Sequence, residues 1–288
     1  MNDQAEALRS LIRSKAKVDA SRRTRLVTVT SGKGGVGKSN FSLNFALTLQ
    51  KLGRRTLLFD ADIGMANIDV LLGVSAPYSM YHLFRQEKTI HELIQEGPGG
   101  IRFVAGGSGL ADLLDVSPGQ LRYAAEQIES LQGQYDYILF DTGAGLGKEA
   151  IKFMEASQET IVVTTPEPTA ITDAYALIKM VKSLNIETGF KLVVNRAMDG
   201  REGKHTLEKM VLAAERFLQT SIQEMGVLPE DAFVTKAVRK QQPFSLAYPG
   251  SPAARALEQM TRRYMELPYK EKADGLKGFI HKMFGVPR

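Results

Sequence analysis

The sequence predicts an α/β fold: a three-layer sandwich in which a mostly parallel, twisted sheet carries helices on both faces. Short apolar and β-branched runs alternate with helical patterns along most of the chain, which is the order that a parallel sheet requires. A glycine-rich loop separates the first of these runs from the first helix. The length of 288 residues and an apolar fraction of 43% are sufficient for one large domain with its own core.

Seven segments have the composition of buried strands, and each is bounded by turn residues. They span residues 26–30, 56–59, 101–104, 135–140, 160–164, 190–194 and 225–228. Helices are expected over residues 41–49, from Pro118 towards Leu131, over residues 171–184, and twice between the last strand and Pro268. Gly53 is placed to end the first helix, and Ser117 to cap the second.

The loop between the first strand and the first helix fits the phosphate-binding pattern G-x-x-x-x-G-K-[ST]. It comprises Gly32, Lys33, Gly34, Gly35, Val36, Gly37, Lys38 and Ser39, and Asn40 follows it. A loop in this position directs backbone N–H groups and a helix N-terminus at one anion. Lys38 is expected to reach the β- and γ-phosphates of a nucleotide, and the Ser39 hydroxyl to be a ligand of Mg²⁺. The alternative is a glycine turn with a chance lysine.

A second lysine in the loop, Lys33, narrows the class of protein. The string GKGGVGKS resembles the deviant Walker A loop of the MinD/ParA family of dimerising P-loop ATPases. The resemblance implies ATP and ADP as ligands, Mg²⁺ as the metal, slow ATP hydrolysis and a homodimer that forms with ATP. In such a dimer Lys33 acts on the partner's phosphates. The alternative is a solvated surface lysine.

Acidic side chains are predicted at the carboxyl ends of neighbouring strands, where open α/β sheets bind ligands. Asp141 is placed to hold Mg²⁺. Asp60 and Asp62 belong to a segment that resembles the family's D-x-D-x-G-x-x-N pattern, which continues through Gly64 and Asn67. The resemblance implies that Asp62 orients the attacking water, that Asp60 supports it near the metal, and that Asn67 contacts the partner's nucleotide. A hydrated pair of strand-end carboxylates is the alternative for Asp60 and Asp62.

Two further segments complete the expected ATP site. Residues 143–145 are expected to form a switch segment that contacts the γ-phosphate, and Gly145 belongs to the predicted ATP-binding residues. The family pattern here is D-x-P-A-G, and this chain reads D-T-G-A-G. Because Gly143 replaces the proline, we expect this switch segment to be looser. Asn195 and Arg196 resemble the adenine-binding N-R pair of the family and lack the N-K-x-D pattern of guanine-binding proteins. ATP is therefore favoured over GTP. The other wall of the base pocket is expected from Leu228, Pro229, Glu230 and Asp231.

Residues 1–24 precede the predicted ATPase domain, which spans residues 25–270. This segment is basic and has few apolar anchors, so we expect it to be disordered and to fold on a partner. The alternative is a frayed terminus without a partner. Asp3, Gln4, Ala5, Leu8 and Arg9 resemble the DQAxxLR motif of the FlhG family, also called YlxH or FleN, whose members are MinD-like regulators of flagellar number and placement. The resemblance implies stimulation of FlhF, a GTPase of the signal-recognition-particle type, with Gln4 nearest the reacting phosphate. Flagellar C-ring switch proteins are further implied partners.

Residues 271–288 are expected to form an amphipathic helix that binds membrane. The apolar side chains of Leu276, Phe279, Ile280, Met283 and Phe284 follow helical spacing, whereas Lys277 and Lys282 lie off that stripe. The stripe resembles the KGFLKRLFG-type tail of MinD and implies anionic lipid as a partner in the ATP-bound dimer. Its glycines predict a tail that is unfolded when free. The alternative is a terminal helix docked on the ATPase core.

Composition limits the competing functions. The chain has no cysteine, which excludes disulfides and a cysteine-ligated iron–sulfur cluster. No membrane-spanning run or secretory leader is expected. The resemblance to MinD implies a cytoplasmic protein that is peripheral at the inner face of the cell membrane in the ATP-bound state. A MinD-type cell-division regulator and a ParA-type DNA-partition ATPase are the alternatives. The lipid-type tail argues against DNA, and a metabolic P-loop ligase would need a substrate pocket that the sequence does not indicate.

Overall fold

The computed structural model describes residues 24–62, 67–106, 117–267 and 275–285. Within them, one sheet contains eight strands in the order β3-β4-β2-β5-β1-β6-β7-β8. Neighbouring strands are parallel except for the pair of β3 and β4. The strands are β1 (Arg25–Thr30), β2 (Thr56–Ala61), β3 (Gln95–Glu96), β4 (Arg102–Val104), β5 (Tyr137–Thr142), β6 (Glu159–Thr164), β7 (Gly189–Ala197) and β8 (Ile222–Pro229).

The helices of the described residues connect these strands and follow them. They are α1 (Lys38–Lys51), α2 (Ile68–Leu72), α3 (Met80–Phe84), α4 (Ile90–Leu93), α5 (Pro118–Glu129), α6 (Lys148–Ala156), α7 (Pro168–Ser183), α8 (Gly200–Leu218), α9 (Ala232–Arg239), α10 (Phe244–Ala247), α11 (Pro252–Glu266) and α12 (Gly275–Phe284). None of them is long and apolar enough to cross a membrane.

The sheet is buried on both faces, which confirms the three-layer prediction. Successive side chains of a strand point to opposite faces, and the core divides accordingly. In β1, Val27 and Val29 pack with the α1 side chains Phe41 and Phe45 in one apolar cluster. Leu26 of the same strand belongs to a second cluster, which α5 and α12 cover. Helices α7 and α8 cover the remaining part of that second face beside β6 and β7.

The predicted strands are found, most of them longer than their apolar runs. The strand expected at residues 225–228 begins at Ile222, and the helix expected from residue 171 begins at Pro168. Three helices lie between β8 and residue 268 instead of the expected two, because Phe244–Ala247 forms a separate single turn. The sequence patterns did not predict the short helices α2, α3 and α4 or the longer α6 and α8. They also did not predict the short β3, whose hydrogen bonds to β4 depend on contacts that periodicity does not encode.

A buried ionic cluster joins the amino ends of the central strands to α11. Glu159 of β6 pairs with Arg25 of β1 and with Lys191 of β7, and all three side chains are buried. The Tyr264 hydroxyl of α11 donates a hydrogen bond of 2.8 Å to the same carboxylate. The Arg25 guanidinium also lies 4.5 Å from the centre of the Tyr264 ring. Because removing one partner would leave a charge buried and unpaired, this cluster fixes α11 on the sheet.

Several expectations concern residues that the structure does not describe. The N-terminal segment, including Asp3, Gln4, Ala5, Leu8 and Arg9, lies outside the described residues, and so does Gly64. The limits of the three proposed segments, at residues 24/25 and 270/271, stay predictions.

Candidate functional site

The phosphate loop links β1 to α1 and needs glycine for geometric reasons. Gly37 precedes α1 with φ of 88°, and Gly35 has φ of 82°, both in the left-handed region that favours glycine. A Cβ atom at Gly32 would lie only 2.2 Å from the carbonyl carbon of Asp173 in α7. The loop is therefore pressed against α7, and the glycine pattern is required by the fold as well as by a phosphate ligand.

A cleft of about 600 Å³ opens beside this loop at the carboxyl edge of the sheet. Its lining includes Lys38 and Ser39 of the phosphate loop, Asp62 after β2, and Gly143 after β5. Asn67 and Arg196, two more predicted site residues, also line it. The fold thus brings together residues from separate parts of the chain, as expected of parallel strands whose carboxyl ends share one edge.

Lys38 and Asp141 form a buried ion pair at the base of the cleft. The Lys38 Nζ lies 2.9 Å from Asp141 Oδ1, and it also donates to Ser39 Oγ at 3.1 Å. Ser42 of α1 donates a hydrogen bond of 2.6 Å to the same Asp141 oxygen. A hydroxyl and a carboxylate oxygen are the donors that Mg²⁺ prefers, so Ser39 and Asp141 fit the predicted metal role.

Asp60 is placed differently from the other two acidic residues. It is 2% exposed, and its carboxylate accepts backbone N–H bonds from Asp62 at 3.2 Å, Asn67 at 2.8 Å and Ile68 at 3.0 Å. Burial raises the pKa of Asp60 to about 6, against the lowering effect of these bonds. The structure therefore makes Asp60 an anchor for the segment that carries Asp62 and Asn67. Its predicted part in metal binding stays a prediction.

The switch segment after β5 lies against both Asp62 and the phosphate loop. A Cβ atom at Gly143 would lie 3.3 Å from Asp62 Oδ1, so glycine in place of the family's proline leaves room for this carboxylate. The N–H of Gly145, which we expected to be near ATP, donates to the Ser31 carbonyl at 2.8 Å. This bond ties the switch to the phosphate loop.

The Lys33 ammonium contacts side chains at the start of α7. Its Nζ is 2.9 Å from Thr169 Oγ1 and 3.4 Å from Glu167 Oε2, at the start of α7. The Lys33 side chain is 40% exposed, and that of Glu167 is 64% exposed. A surface pair of this kind contributes less than about 1 kcal/mol, so it can be exchanged for other partners.

Two residues expected in the base pocket, Asn195 and Asp231, make structural hydrogen bonds, and their base contacts stay predictions. Asn195 Nδ2 donates to the Val36 carbonyl at 2.8 Å, so this side chain supports the phosphate loop. The Asp231 carboxylate caps two helices, because it accepts from Phe233 N at 2.8 Å and from Ala253 N at 2.9 Å. Asp231 is therefore a structural link between α9 and α11 in this structure. Base contacts of Pro229 and Glu230 stay predictions.

The nucleotide cleft also has an apolar part that the sequence patterns did not predict. Val238 of α9 and Val70 and Leu71 of α2 line it, and Val70 is 52% exposed. Their positions on two short amphipathic helices offered no pattern distinct from ordinary core residues. These side chains add an apolar surface beside Arg196, suited to the flat faces of a base or to a second protein chain.

The C-terminal helix α12 is docked on the sheet side formed by α5 and α6. Leu276, Phe279 and Ile280 are buried, and the Phe279 ring stacks on Phe140 of β5 with ring centres 4.5 Å apart. The prediction of an unfolded tail does not match this conformation; the docked alternative does. Of the predicted membrane residues, Lys277 and Lys282 are exposed, and Met283 and Phe284 are partly buried against the same cluster. The physical reason is an apolar groove that the sequence alone could not place.

The phosphate loop, the strand-end carboxylates and the parallel sheet define a P-loop protein that binds a nucleoside triphosphate. A family model described as AAA domain matches residues 24–194. Antiactivator FleN of Pseudomonas aeruginosa is 36% identical over 264 residues, covering 91% of this chain and 94% of FleN. The flagellum site-determining protein YlxH of Helicobacter pylori is 33% identical, covering 98% of each chain.

A solved structure supports the same assignment. The septum site-determining protein MinD of Pyrococcus horikoshii OT3, complexed with Mg-ADP, matches with a TM-score of 0.69 and 25% identity, covering 88% of this chain and 98% of that one. The chain therefore belongs to the MinD-like ATPases, in the group that includes FleN and YlxH.

Proposed function

We propose that this chain is an ATP-dependent dimerising switch that regulates the number or placement of flagella. The observation that supports it most is similarity over almost the whole chain to Antiactivator FleN and to flagellum site-determining protein YlxH. ATP or ADP with Mg²⁺ is the proposed ligand, in keeping with the Mg-ADP complex of the similar MinD structure.

In the proposed reaction, the ion pair at the base of the cleft is exchanged on nucleotide binding. Lys38 would leave Asp141 for the β- and γ-phosphates, and Ser39 and Asp141 would hold the metal. Mg²⁺ supplies charge neutralisation at the phosphate oxygens. Asp62 lies on the cleft wall, where it orients the attacking water, and Asp60 keeps the Asp62 backbone in place.

Dimerisation is the proposed regulatory step. Among the residues that the structure describes, the Lys33 ammonium is held by exposed side chains at the start of α7, so it can leave them for the phosphates of a partner subunit. Asn67, exposed on the cleft wall, is a second proposed contact across the dimer. Two face-to-face subunits would enclose both nucleotides, and hydrolysis would separate them again.

Membrane binding is the proposed output of the dimer. Phe140, on which the tail helix stacks, directly precedes Asp141, and Phe153, whose ring centre is 6.1 Å from that of Phe279, lies in the helix that follows the switch. A rearrangement of the switch on ATP binding can therefore loosen α12. Two released tails in one dimer bind anionic lipid more strongly than one through effective concentration. The protein is then cytoplasmic when monomeric and peripheral at the cell membrane with ATP.

The N-terminal segment is proposed to stimulate an FlhF-type GTPase, on the strength of Gln4 and its neighbouring motif residues. Flagellar C-ring switch proteins are the other proposed partners, by family resemblance. The test measures GTP turnover by an FlhF-type GTPase with and without a peptide of residues 1–23. Stimulation that is lost with Gln4→Ala supports this role. An inactive peptide contradicts it and leaves the ATPase switch to be tested alone.

A MinD-type role in cell division is the second candidate, since a MinD structure is similar over most of the chain. The N-terminal motif favours the flagellar role. DNA partition is less favoured, because the described tail helix has the amphipathic pattern of a lipid-binding segment.

A further inference from the structure

A second cleft, of about 510 Å³, lies at the amino ends of the strands, on the edge of the sheet opposite the nucleotide cleft. Three arginines line it: Arg54 and Arg55 directly precede β2, and Arg102 begins β4. The register of the sheet brings them together, because Leu57 of β2 is paired with Arg102 of β4. We refer to it as the arginine cleft.

The charges of the arginine cleft are only partly neutralised. Arg55 pairs with Asp136 at 2.9 Å. Arg54 and Arg102 are exposed, and neither has an ion pair within 4.0 Å among residues 24–62, 67–106, 117–267 and 275–285. Glu96 lies opposite Arg102 in the β3–β4 register without forming such a pair. We propose that the arginine cleft is a docking site for an acidic segment of a partner protein.

A carboxylate ligand is favoured by the chemistry already present. The Arg55 guanidinium and its backbone N–H each donate 2.9 Å bonds to the two oxygens of Asp136, so the cleft already holds one carboxylate by two-point recognition. Planar guanidinium groups at Arg54 and Arg102 can bind further carboxylates in the same way.

The attachment point of the N-terminal segment supports a protein partner. Thr24 lies at the arginine cleft: its hydroxyl donates to the Tyr135 carbonyl at 2.8 Å, and Tyr135 lines the cleft. Residues 1–23, which are joined to the domain at Thr24, carry six lysines and arginines against three acidic residues. A partner bound by that segment is tethered to the domain at Thr24, so a second contact in the cleft gains from effective concentration.

This choice of partner rests on the proposed function, so the experiment uses the FlhF-type GTPase and the full chain. The double variant Arg54→Glu with Arg102→Glu should bind the GTPase about tenfold more weakly than the unaltered chain, mainly through slower association. A matched variant, Lys179→Glu with Lys209→Glu, reverses the same number of exposed charges on α7 and α8 and should bind within about twofold of the unaltered chain. At saturating concentration the cleft variant should still stimulate GTP turnover, because Gln4 is intact.

Other outcomes distinguish the two proposals. If both double variants bind the GTPase equally well, the arginine cleft is not a docking site, and the proposed function stands. If the unaltered full chain does not stimulate the GTPase, the proposed function fails, and binding of a fluorescent oligoglutamate peptide still tests the cleft. Loss of that binding in the cleft variant alone supports the inference. Stronger binding of an oligonucleotide than of oligoglutamate at equal salt overturns the inference. Stronger GTPase binding by the cleft variant than by the unaltered chain also overturns it, because that result would mean that residues 1–23 occupy the cleft.

Discussion

Lys38 Nζ lies 2.9 Å from Asp141 Oδ1, and the two side chains are only 7% and 1% exposed. The residue expected to bind phosphate and the residue expected to bind the metal thus neutralise each other at the base of one cleft. Exchange of this pair for a triphosphate and a metal replaces one set of buried charge contacts by another. We therefore expect nucleotide binding to rearrange the carboxyl end of β5 and the switch that follows it.

Replacing Lys38 should abolish nucleotide binding. Lys38→Ala removes the cation predicted to face the β-phosphate, and we expect ADP affinity, measured by isothermal titration calorimetry, to fall at least about 100-fold. The substitution also leaves Asp141 buried without its cation, so the thermal midpoint must be recorded. Lys33→Ala is the control: it should bind ADP normally but lose ATP turnover. Equal ADP affinity in Lys38→Ala and the unaltered chain would contradict the assignment.

Replacing Asp62 should separate binding from hydrolysis. Asp62→Ala removes the carboxylate that orients water but keeps the backbone anchored by Asp60. We expect ATP turnover to fall about 100-fold or more, with a long-lived dimer in ATP, seen by size-exclusion chromatography with light scattering. The double variant with Lys38→Ala should remain monomeric. An Asp62→Ala protein that also stays monomeric with ATP would contradict the proposed mechanism.

The docking of the tail helix α12 can be weakened by a substitution in the domain surface or in the helix itself. Phe153→Ala removes part of the surface under α12, whereas Phe279→Ala removes the side chain that fills it. Phe153→Ala should therefore bind anionic vesicles without ATP, and Phe279→Ala should bind them weakly in every nucleotide state. Vesicle co-sedimentation measures both, and hydrogen exchange of residues 275–285 reports docking. Vesicle binding by Phe279→Ala that matches the unaltered chain would rule out insertion through this face.

The Arg55–Asp136 pair should make stability depend on acid pH. Partial burial raises the pKa of Asp136, but the hydrogen bonds and charge of Arg55 outweigh it and hold that pKa below its ordinary value of 3.8. A lowered pKa stabilises the fold above the unfolded-state pKa, and this contribution is lost as the pH falls through the folded-state pKa. Asp136→Asn should reduce the free energy of unfolding by roughly 1 kcal/mol at pH 7.

Urea unfolding at neutral and acid pH tests this dependence. The difference between Asp136→Asn and the unaltered chain should shrink once the pH lies below the folded-state pKa of Asp136. Glu126→Gln is a suitable control, because it also removes one negative charge, from an exposed carboxylate of α5. A difference that is the same at both pH values would show that Asp136 acts through packing alone.

Local sequence patterns were sufficient to predict the phosphate loop and the acidic residues at the carboxyl edge of the sheet. A glycine loop between a strand and a helix encodes its own backbone geometry. Asp62 directly follows β2 and Asp141 lies near the carboxyl end of β5, and the carboxyl ends of parallel strands share an edge. Roles that depend on a distant partner were not accessible in this way. Asp231 reaches Ala253, and Asp60 reaches Ile68, only because the folded chain brings those N–H groups near.

The contacts of the tail helix and of the arginine cleft also depend on segments that are distant in the sequence, so local patterns could not predict them. The helical stripe of Phe279 and Ile280 specifies an apolar face but not what covers it, since a membrane and a protein groove remove it from water equally well. Only the packing of β5 against α5 and α6 decides that Phe140 is available for it here. Likewise Arg54 and Arg102 are 48 positions apart in sequence and become neighbours through the pairing of β2 with β4. The residue order therefore determines the class of protein and its chemistry, whereas long-range packing decides which surfaces remain open.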